Sequence, residues 1–236
     1  MVAGRLDLDL PRACPVCGSQ VGYSHSTVLW PELIDEWGLT AAEAETLDKR
    51  DGTRCANCGV QLRTMTLALA VLRAVGHSGP FATLHRRHPL LRLLELNECG
   101  RLREMTRRRR FPRKVKGDFP QVDMEALPYR SAQFDLIMHG DTLEHVPDPV
   151  RGLRECRRVL KPTGALCYTV PVVIKRSTRR RDDLPASFHG EATDLAYLVH
   201  TEYGDDVWQQ PFEAGFSSVE ILAVSYPCSF ALICRP

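Results

Sequence analysis

The stretch that decides the fold spans residues 134–169 and reads FDLIMHGDTLEHVPDPVRGLRECRRVLKPTGALCYT. Gln133–His139 is a short apolar run, which predicts a buried strand. Pro149–Leu160 carries apolar residues at helical spacing, and Lys161–Gly164 turns the chain into the apolar run Ala165–Val173. Strand, helix and strand in this order predict a mostly parallel sheet with helices on both faces.

The same alternation continues on both sides of this stretch. Arg92–Leu96 and Lys114–Asp118 are predicted strands, separated by a predicted helix at Leu102–Arg110. Ser218–Val224 and Ser229–Cys234 are predicted to form a terminal antiparallel pair. Open parallel sheets bind ligands beyond the carboxyl ends of their strands, so the residues that follow each strand are the candidates for a site.

Length and composition limit the function classes. A chain of 236 residues can bury one α/β core and still carry a small module. Its 31 basic and 29 acidic residues leave a net charge of only +2, which argues against a partner bound through overall charge. The opening residues lack the apolar core of a signal peptide, and no apolar run is long enough to span a membrane. We therefore expect a cytoplasmic protein with no membrane partner.

Two Cys-x-x-Cys pairs, each followed by glycine, stand near the beginning of the chain. Four thiolates in two such pairs can surround one ion as a tetrahedron, and zinc is the ion expected. The predicted ligands are Cys14, Cys17, Cys55 and Cys58. A closed four-cysteine shell leaves no position for water, which favours a structural over a catalytic zinc; four buried free cysteines are the alternative. We predict a zinc-binding module with its connecting helix at residues 1–75 and a second domain at 76–236.

Residues 122–171 carry an ordered series of short motifs. They are Asp123, Leu127–Pro128, Phe134–Ile137, Leu143–Val146 and Arg158–Gly164. The series resembles the latter half of class I S-adenosylmethionine-dependent methyltransferase domains of the type 11-like kind, some of which carry an amino-terminal four-cysteine zinc module. The resemblance implies a Rossmann-like methyltransferase fold, α/β with a mostly parallel seven-stranded sheet, a small zinc-ribbon-like module, and S-adenosylmethionine as cofactor.

The resemblance also implies which residues bind that cofactor. Glu95 and the turn after it match the site of the methionine part, and Asp118 is the candidate that accepts both ribose hydroxyls. Asp123 with Met124 matches the pair that contacts adenine. The full set is Glu95, Asn97, Gly100, Asp118, Asp123, Met124, His139 and Gly140. Each has a simpler alternative as a capping, turn or core residue.

The turn departs from the family's Gly-x-Gly-x-Gly pattern, because it holds Asn97-Glu98-Cys99-Gly100-Arg101. Asparagine tolerates a left-handed backbone, whereas Cys99 and Arg101 place side chains where glycine permits close approach. The four residues between Asp118 and Asp123 are too few for the helix that usually joins the second and third strands. Our hypothesis is that the zinc module covers the adenosine side.

Three histidines are candidate catalytic bases: His139, His145 and His189. Each could instead be a core or surface histidine. The first functional hypothesis is methyl transfer from S-adenosylmethionine to a small molecule, in specialised natural-product biosynthesis. Because the cofactor turn is altered, a second hypothesis is cyclisation of the cofactor to a 1-aminocyclopropane-1-carboxylate or azetidine type of amino acid, with release of methylthioadenosine.

Two further alternatives stay open. Basic residues concentrate in Arg101–Lys116 and Lys175–Arg181, a feature that RNA methyltransferases also show. We favour a solvated helix face over a nucleic-acid partner, since nearby acidic residues dilute the charge and aromatic residues for base stacking are scarce. The last alternative is a non-catalytic zinc-bearing interaction protein. The sequence predicts no oligomeric state.

Overall fold

The computed structural model describes residues 8–107, 109–189 and 194–236. The amino-terminal part contains a two-stranded ribbon and three helices. Its elements are β1 (Tyr23–His25), α1 (Pro31–Glu36), α2 (Ala41–Gly52), β2 (Thr53–Cys55) and α3 (Leu62–Ala74). The capping box of α2, in which Thr40 and Glu43 bond each other's backbone amides, fixes where this helix begins.

The rest of the chain forms a six-stranded sheet. The strands and helices that follow are α4 (Leu84–Arg87), β3 (Leu93–Leu96), α5 (Leu102–Met105), β4 (Val115–Gly117), β5 (Phe134–Gly140), α6 (Pro149–Val159), β6 (Leu160–Thr169), β7 (Arg179–Arg180), β8 (Thr201–Glu202), α7 (Gln209–Glu213), β9 (Ser218–Val224) and β10 (Ser229–Arg235). The order in the sheet is β4-β3-β5-β6-β10-β9, with β7 and β8 forming a separate ribbon. The β3, β4, β5 and β6 neighbours are parallel, and β10 pairs antiparallel with both β6 and β9.

Both faces of the sheet are covered, which explains the continuous apolar strands. Leu136 and Met138 of β5 face a cluster that contains α3, while Ile137 faces the cluster that contains α6. Leu153 of α6 is fully buried, and burial of one such side chain stabilises the fold by about 2 kcal/mol. The helix begins at Pro149 because the Asp148 side chain accepts a hydrogen bond from the Arg151 amide.

Helices α1 and α2 pack on the chain segment that follows β6. A third apolar cluster joins Leu33, Trp37 and Leu47 of the amino-terminal part to Val173 and Val199. Nearby, Arg176 binds Glu43 and the carbonyl oxygen of Trp37. The amino-terminal part is therefore held against the sheet domain by both apolar and charged contacts.

The main sheet of the described residues has six strands, whereas the family resemblance implied a seven-stranded sheet. The segment that follows β4 forms a short 3₁₀ turn, Met124–Ala126, in place of another helix and strand. The predicted helix at Leu102–Arg110 is also shorter, since it ends at Met105, and residues 109–110 and 112–113 form turns before β4. The absence of a helix between Asp118 and Asp123 agrees with the short spacing in the sequence.

Within the part of the chain that the structure describes, no helix combines the length and the apolar character that a membrane span requires.

Candidate functional site

Two adjoining cavities lie beyond the carboxyl ends of the parallel strands. The first, which we call the strand-end cavity, has a volume of about 680 Å³ and is lined by residues that include Asn97, Asp118, Met124 and His200. The second, the module cavity, has a volume of about 500 Å³ and is lined by residues that include Trp30, Trp37, Arg63 and His189. Both are of the size that small-molecule ligands need. Their shared walls are Glu98, Gly140, Asp141, His145 and Tyr197.

The turn after β3 keeps its shape without its usual glycines. Asn97 adopts a left-handed backbone with φ of 53°, and its side-chain oxygen accepts a hydrogen bond of 2.9 Å from the Phe119 amide. Cys99 turns its thiol into the core toward the Met138 carbonyl oxygen, at 3.7 Å. Gly100 is also left-handed, and a Cβ there would lie 3.2 Å from Thr64 Oγ1. Asparagine and the one remaining glycine therefore supply the two left-handed positions.

An arginine not singled out from the sequence joins the two acidic cofactor candidates. Arg103 binds Glu95 at 2.6 Å through Nε, and it binds the Asp118 carboxylate and the Asn97 carbonyl oxygen through its terminal nitrogens. Glu95 is fully buried and also pairs with Lys114. Glu95 thus supports the turn from within the core, whereas Asp118, which is 44% exposed, faces the strand-end cavity.

The two predicted adenine contacts also lie in the strand-end cavity. Asp123 and Met124 both line it. The Asp123 side chain caps the 3₁₀ turn by accepting a hydrogen bond of 2.8 Å from the Glu125 amide. Every residue that lines this cavity lies between Leu96 and His200, while the walls of the module cavity also include residues from the range 28–67. The amino-terminal part therefore borders the second cavity and not the one our hypothesis assigned to it.

Opposite charges from distant parts of the chain meet at the junction of the cavities. Arg50 of α2 and Arg63 of α3 both bind the Asp141 carboxylate, which also accepts a hydrogen bond of 2.9 Å from Thr169 Oγ1. Burial opposes ionisation of Asp141, but the two guanidinium groups hold the pKa of this carboxyl well below its usual range. Asp141 has a left-handed backbone with φ of 47°, so the ion pairs stabilise a conformation that aspartate seldom adopts.

Two of the three candidate histidines meet at the module cavity. The rings of His145 and His189 lie 5.4 Å apart between centroids. His145 Nδ1 lies 3.0 Å from the Leu198 carbonyl oxygen, so Nδ1 carries the proton and Nε2 is an unprotonated nitrogen. Burial lowers the pKa of His145, and it lowers the pKa of His189 to about 3, with the neighbouring His145 adding to the effect. Both rings are therefore neutral at physiological pH.

Glu144 lies beside this pair. It belongs to the motif Leu143–Val146, but the sequence indicated no role for it. Its side chain is 1% exposed, and neither carboxyl oxygen has a hydrogen-bond partner among the described residues. One oxygen lies 3.9 Å from His145 Nε2. Burial, together with the Asp141 carboxylate, raises the pKa of Glu144 well above its usual range.

The third candidate, His139, lies in the core. Its fully buried ring stacks on Tyr168 at 4.9 Å, and it lines neither cavity, whereas Gly140 lines both. Both ring nitrogens lack partners among the described residues, and burial lowers the pKa of His139 to about 3. This position gives the ring no access to a ligand in either cavity.

Replacing His139 by leucine should make the protein less sensitive to acid. The unfolded histidine binds a proton below about pH 6.5 while the folded one resists it, so this group's contribution to stability is lost as the pH falls from 6.5 toward 3. Between pH 7.5 and pH 5 the wild type should lose about 2 kcal/mol more of its free energy of unfolding than His139→Leu. Urea unfolding at both pH values measures the difference, and equal losses would contradict a neutral buried ring.

The four predicted metal ligands form a compact cluster. Cys14 and Cys58 sulfurs lie 3.9 Å apart, as do those of Cys17 and Cys55. The edge of a zinc–sulfur tetrahedron with bonds of about 2.3 Å is about 3.8 Å, so the spacing fits. Burial acts against ionisation of Cys17, but hydrogen bonds from Asn57 and the chain near it lower the pKa of this thiol to about 7.

The glycines after the two cysteine pairs shape matching turns. Gly18 and Gly59 have φ values of 79° and 69°, and each donates its amide to the first cysteine of its pair at 2.8 Å. A side chain at either position would strain this left-handed backbone. The two turns are therefore equivalent in shape, as the repeated sequence pattern predicts.

Comparison with known proteins identifies the fold. A family described as "Methyltransferase domain" matches residues 74–168. The chain has a Rossmann-like methyltransferase fold. The matched region begins at the end of α3 and includes β3 to β6, so it contains most residues that line the strand-end cavity.

Curated relatives match a short part of the chain. It is 46% identical over 50 residues to 2-methyl-6-phytyl-1,4-hydroquinone methyltransferase 1, chloroplastic, of Oryza sativa subsp. japonica, covering 21% of this chain and 15% of that protein. It is 42% identical over 53 residues to the ubiquinone biosynthesis O-methyltransferase of Marinobacter nauticus, covering 21% and 22%. The chain thus spans less than a quarter of the length of these relatives. Among solved structures, PigF with SAH is 15% identical, with a TM-score of 0.44 and coverage of 74% of this chain and 61% of that one.

Proposed function

We propose that the protein is an S-adenosylmethionine-dependent methyltransferase that acts on a small molecule. The observation that carries the proposal is the pair of adjoining cavities, which meet at Gly140, Asp141 and His145 at the end of β5. Ligands of doubly wound sheets bind at this edge. The methyltransferase domain match covers the strands concerned and supports the same activity.

In this proposal the strand-end cavity holds the adenosine part of the cofactor. Asp118 is the exposed acceptor for the ribose hydroxyls, and Met124 and Asp123 border the adenine. Asn97 and Gly100 shape the turn beside the methionine part. Arg103 orients the Asp118 carboxylate, so it positions a cofactor-binding residue.

The module cavity would then hold the methyl acceptor. Its walls include two tryptophans and Tyr197, which suit a flat or aromatic molecule, and the names of the matched relatives refer to hydroquinone and ubiquinone chemistry. Methyl transfer is an in-line displacement at the methyl carbon, so the enzyme mainly aligns the two molecules. His145 and His189 both line this cavity as neutral rings, so they are the candidate bases for the proton that a hydroxyl acceptor loses.

The second cavity favours transfer to a separate acceptor over cyclisation of the cofactor, because cyclisation needs no space for another molecule. RNA methylation has less support, since arginines of the basic run Lys175–Arg181 are engaged by acids: Arg176 binds Glu43, and Arg179 and Arg181 bind Glu202. These contacts leave fewer free positive charges for phosphates.

Binding of S-adenosylhomocysteine, measured by calorimetry, tests the proposed cofactor site. The wild type should bind it, and Asp118→Asn should bind about 10-fold more weakly, because a charge-assisted hydrogen bond contributes roughly 1.5 kcal/mol. Asp135→Asn is the matched control, since Asp135 lies at the opposite end of β5 and pairs with Lys161 there. The absence of binding by the wild type would contradict the proposal. Methylthioadenosine formed from S-adenosylmethionine alone would favour cyclisation instead.

We also propose that Cys14, Cys17, Cys55 and Cys58 bind one structural zinc ion and that residues 1–75 act as a module that builds the acceptor side. The sulfur spacing and the matching turns support four-thiolate binding. Support for the module's role comes from Arg50 and Arg63, which reach from α2 and α3 to Asp141.

A further inference from the structure

A second group of potential metal ligands lies at the base of the module cavity. Among the described residues, Glu144, His145 and His189 are one of two sets whose donor atoms all lie within 4.8 Å of one another. The other set is the four-cysteine cluster. All three side chains also line the module cavity, so their donor atoms border a space that a ligand can enter.

The Glu144 carboxyl group is the most informative member of the set. It is 1% exposed, and both of its oxygens lack a hydrogen-bond partner among the residues that the structure describes. A buried polar group without a partner costs about 1–3 kcal/mol, so native proteins rarely keep one without a use. An ion between this carboxyl and the imidazoles would satisfy it.

His145 is already oriented as a metal ligand. Its Nδ1 donates to the Leu198 carbonyl oxygen, which leaves Nε2 with a free lone pair, and Nε2 lies 3.9 Å from a Glu144 carboxyl oxygen. Metal-binding histidines commonly donate their second ring N–H to a backbone carbonyl in this way. The contact sets the tautomer before any ligand arrives.

His189 is held in place by the amino-terminal part of the chain. Its ring lies 5.2 Å from that of Trp37, and Trp37 Nε1 donates a hydrogen bond of 2.9 Å to Ser187 Oγ, two residues earlier. The His189 amide donates to the Tyr197 carbonyl oxygen at 3.0 Å. His189 is therefore held by two direct contacts, and the hydrogen bond to Ser187 fixes the Trp37 ring that makes one of them.

Nearby charges do not oppose a cation. Arg50 and Arg63 are the closest positive groups, and both are bound by Asp141 and by Asp51. Two positive and two negative charges cancel, so the ion meets no net positive charge there, and it would bind Glu144 as a carboxylate by displacing the proton of the carboxyl group. Donor atoms on one tetrahedral ion lie about 3.4 Å apart for metal–ligand distances near 2.1 Å, and the donor atoms of this set already lie within 4.8 Å of one another.

We infer that Glu144, His145 and His189 bind a divalent first-row transition-metal ion at the base of the module cavity. Two imidazoles and one carboxylate favour such an ion over magnesium or calcium, which prefer oxygen ligands. Three protein ligands leave coordination positions open toward the cavity. This inference rests on the proposed function and changes one part of it: His145 and His189 hold the ion instead of accepting the proton, and an acceptor hydroxyl oxygen bound to the ion would lose its proton more readily because the ion lowers its pKa.

Cobalt(II) added to protein that carries one equivalent of zinc per chain, enough for the cysteine cluster alone, tests this site without cofactor or activity. Binding by nitrogen and oxygen ligands gives weak d–d absorption with no thiolate-to-cobalt charge transfer, which separates this site from the cysteine cluster. We expect one equivalent of cobalt to bind with that spectrum. Only a thiolate charge-transfer spectrum, or no cobalt binding at all, would overturn the inference.

Two variants locate the ion. Glu144→Gln keeps the size of the side chain and His189→Gln removes one imidazole, and each should weaken cobalt binding by about 100-fold or more, since even residues behind the ligands change affinity by about 10–100-fold. His200→Gln, which removes a neighbouring imidazole outside the set, should bind cobalt as the wild type does. Circular dichroism melting confirms that each variant is folded. Wild-type affinity in both folded ligand variants would refute the site, whatever the outcome of the S-adenosylhomocysteine measurement.

Discussion

Cys55→Ser should unfold the amino-terminal part of the protein and lower the free energy of unfolding by on the order of 5 kcal/mol. Structural zinc contributes about 10–16 kcal/mol to the folding of zinc-finger peptides, and here the sheet core supports part of the same region. Cys14 and Cys55 are buried in the cluster that also contains α3, so loss of the ion disturbs the helix that covers one face of the sheet. Zinc analysis and guanidinium unfolding measure the two effects.

Cys156→Ala is the matched control for this experiment. Cys156 is fully buried in the opposite core, on α6, far from the cysteine cluster. Its replacement should cost about 1 kcal/mol through the lost sulfur contacts and should leave one zinc per chain. If Cys55→Ser retained zinc and lost no more stability than Cys156→Ala, the four cysteines would not hold a structural ion.

The sequence predicted the elements that have a regular apolar pattern. Helix α6 and strands β5 and β10 lie close to the predicted ranges because their side chains are buried on one or both faces. The cysteine cluster was predicted too, since its spacing is local and repeated in the chain. Patterns of this kind can be recognised from the sequence because each depends on residues that lie only a few positions apart.

The contacts at the junction of the cavities could not be predicted in the same way. Arg50 and Asp141 lie 91 positions apart, and an arginine in a helix is usually a surface residue. Only the packing of α2 and α3 against the sheet brings them together. His139 shows the converse: its place at the carboxyl end of a strand suggested a ligand contact, but strand alternation turns its side chain onto Tyr168 in the core.

Asp141→Asn should lower the free energy of unfolding by about 3 kcal/mol at neutral pH. The variant keeps a side chain of the same size that tolerates the left-handed backbone, so the change removes mainly the negative charge. Arg50 is 1% exposed and would lose its closest counter-charge, and breaking a buried ion pair on one side costs about 3–5 kcal/mol. Asp51, which also binds Arg50 at 2.8 Å, offsets part of the loss.

The pH dependence identifies the cause of this cost. Because the folded pKa of Asp141 is depressed, its contribution is present above the unfolded value near 3.8 and is lost as the pH falls below it. The gap between wild type and Asp141→Asn should therefore be constant from pH 7 to pH 5 and shrink below about pH 4. Asp135→Asn, which removes a half-exposed partner of Lys161, should cost less than about 1 kcal/mol. If Asp141→Asn cost no more stability than that control, other groups would balance the charge of Arg50. The charge network around Asp141 would then not explain how the amino-terminal part is held at the site.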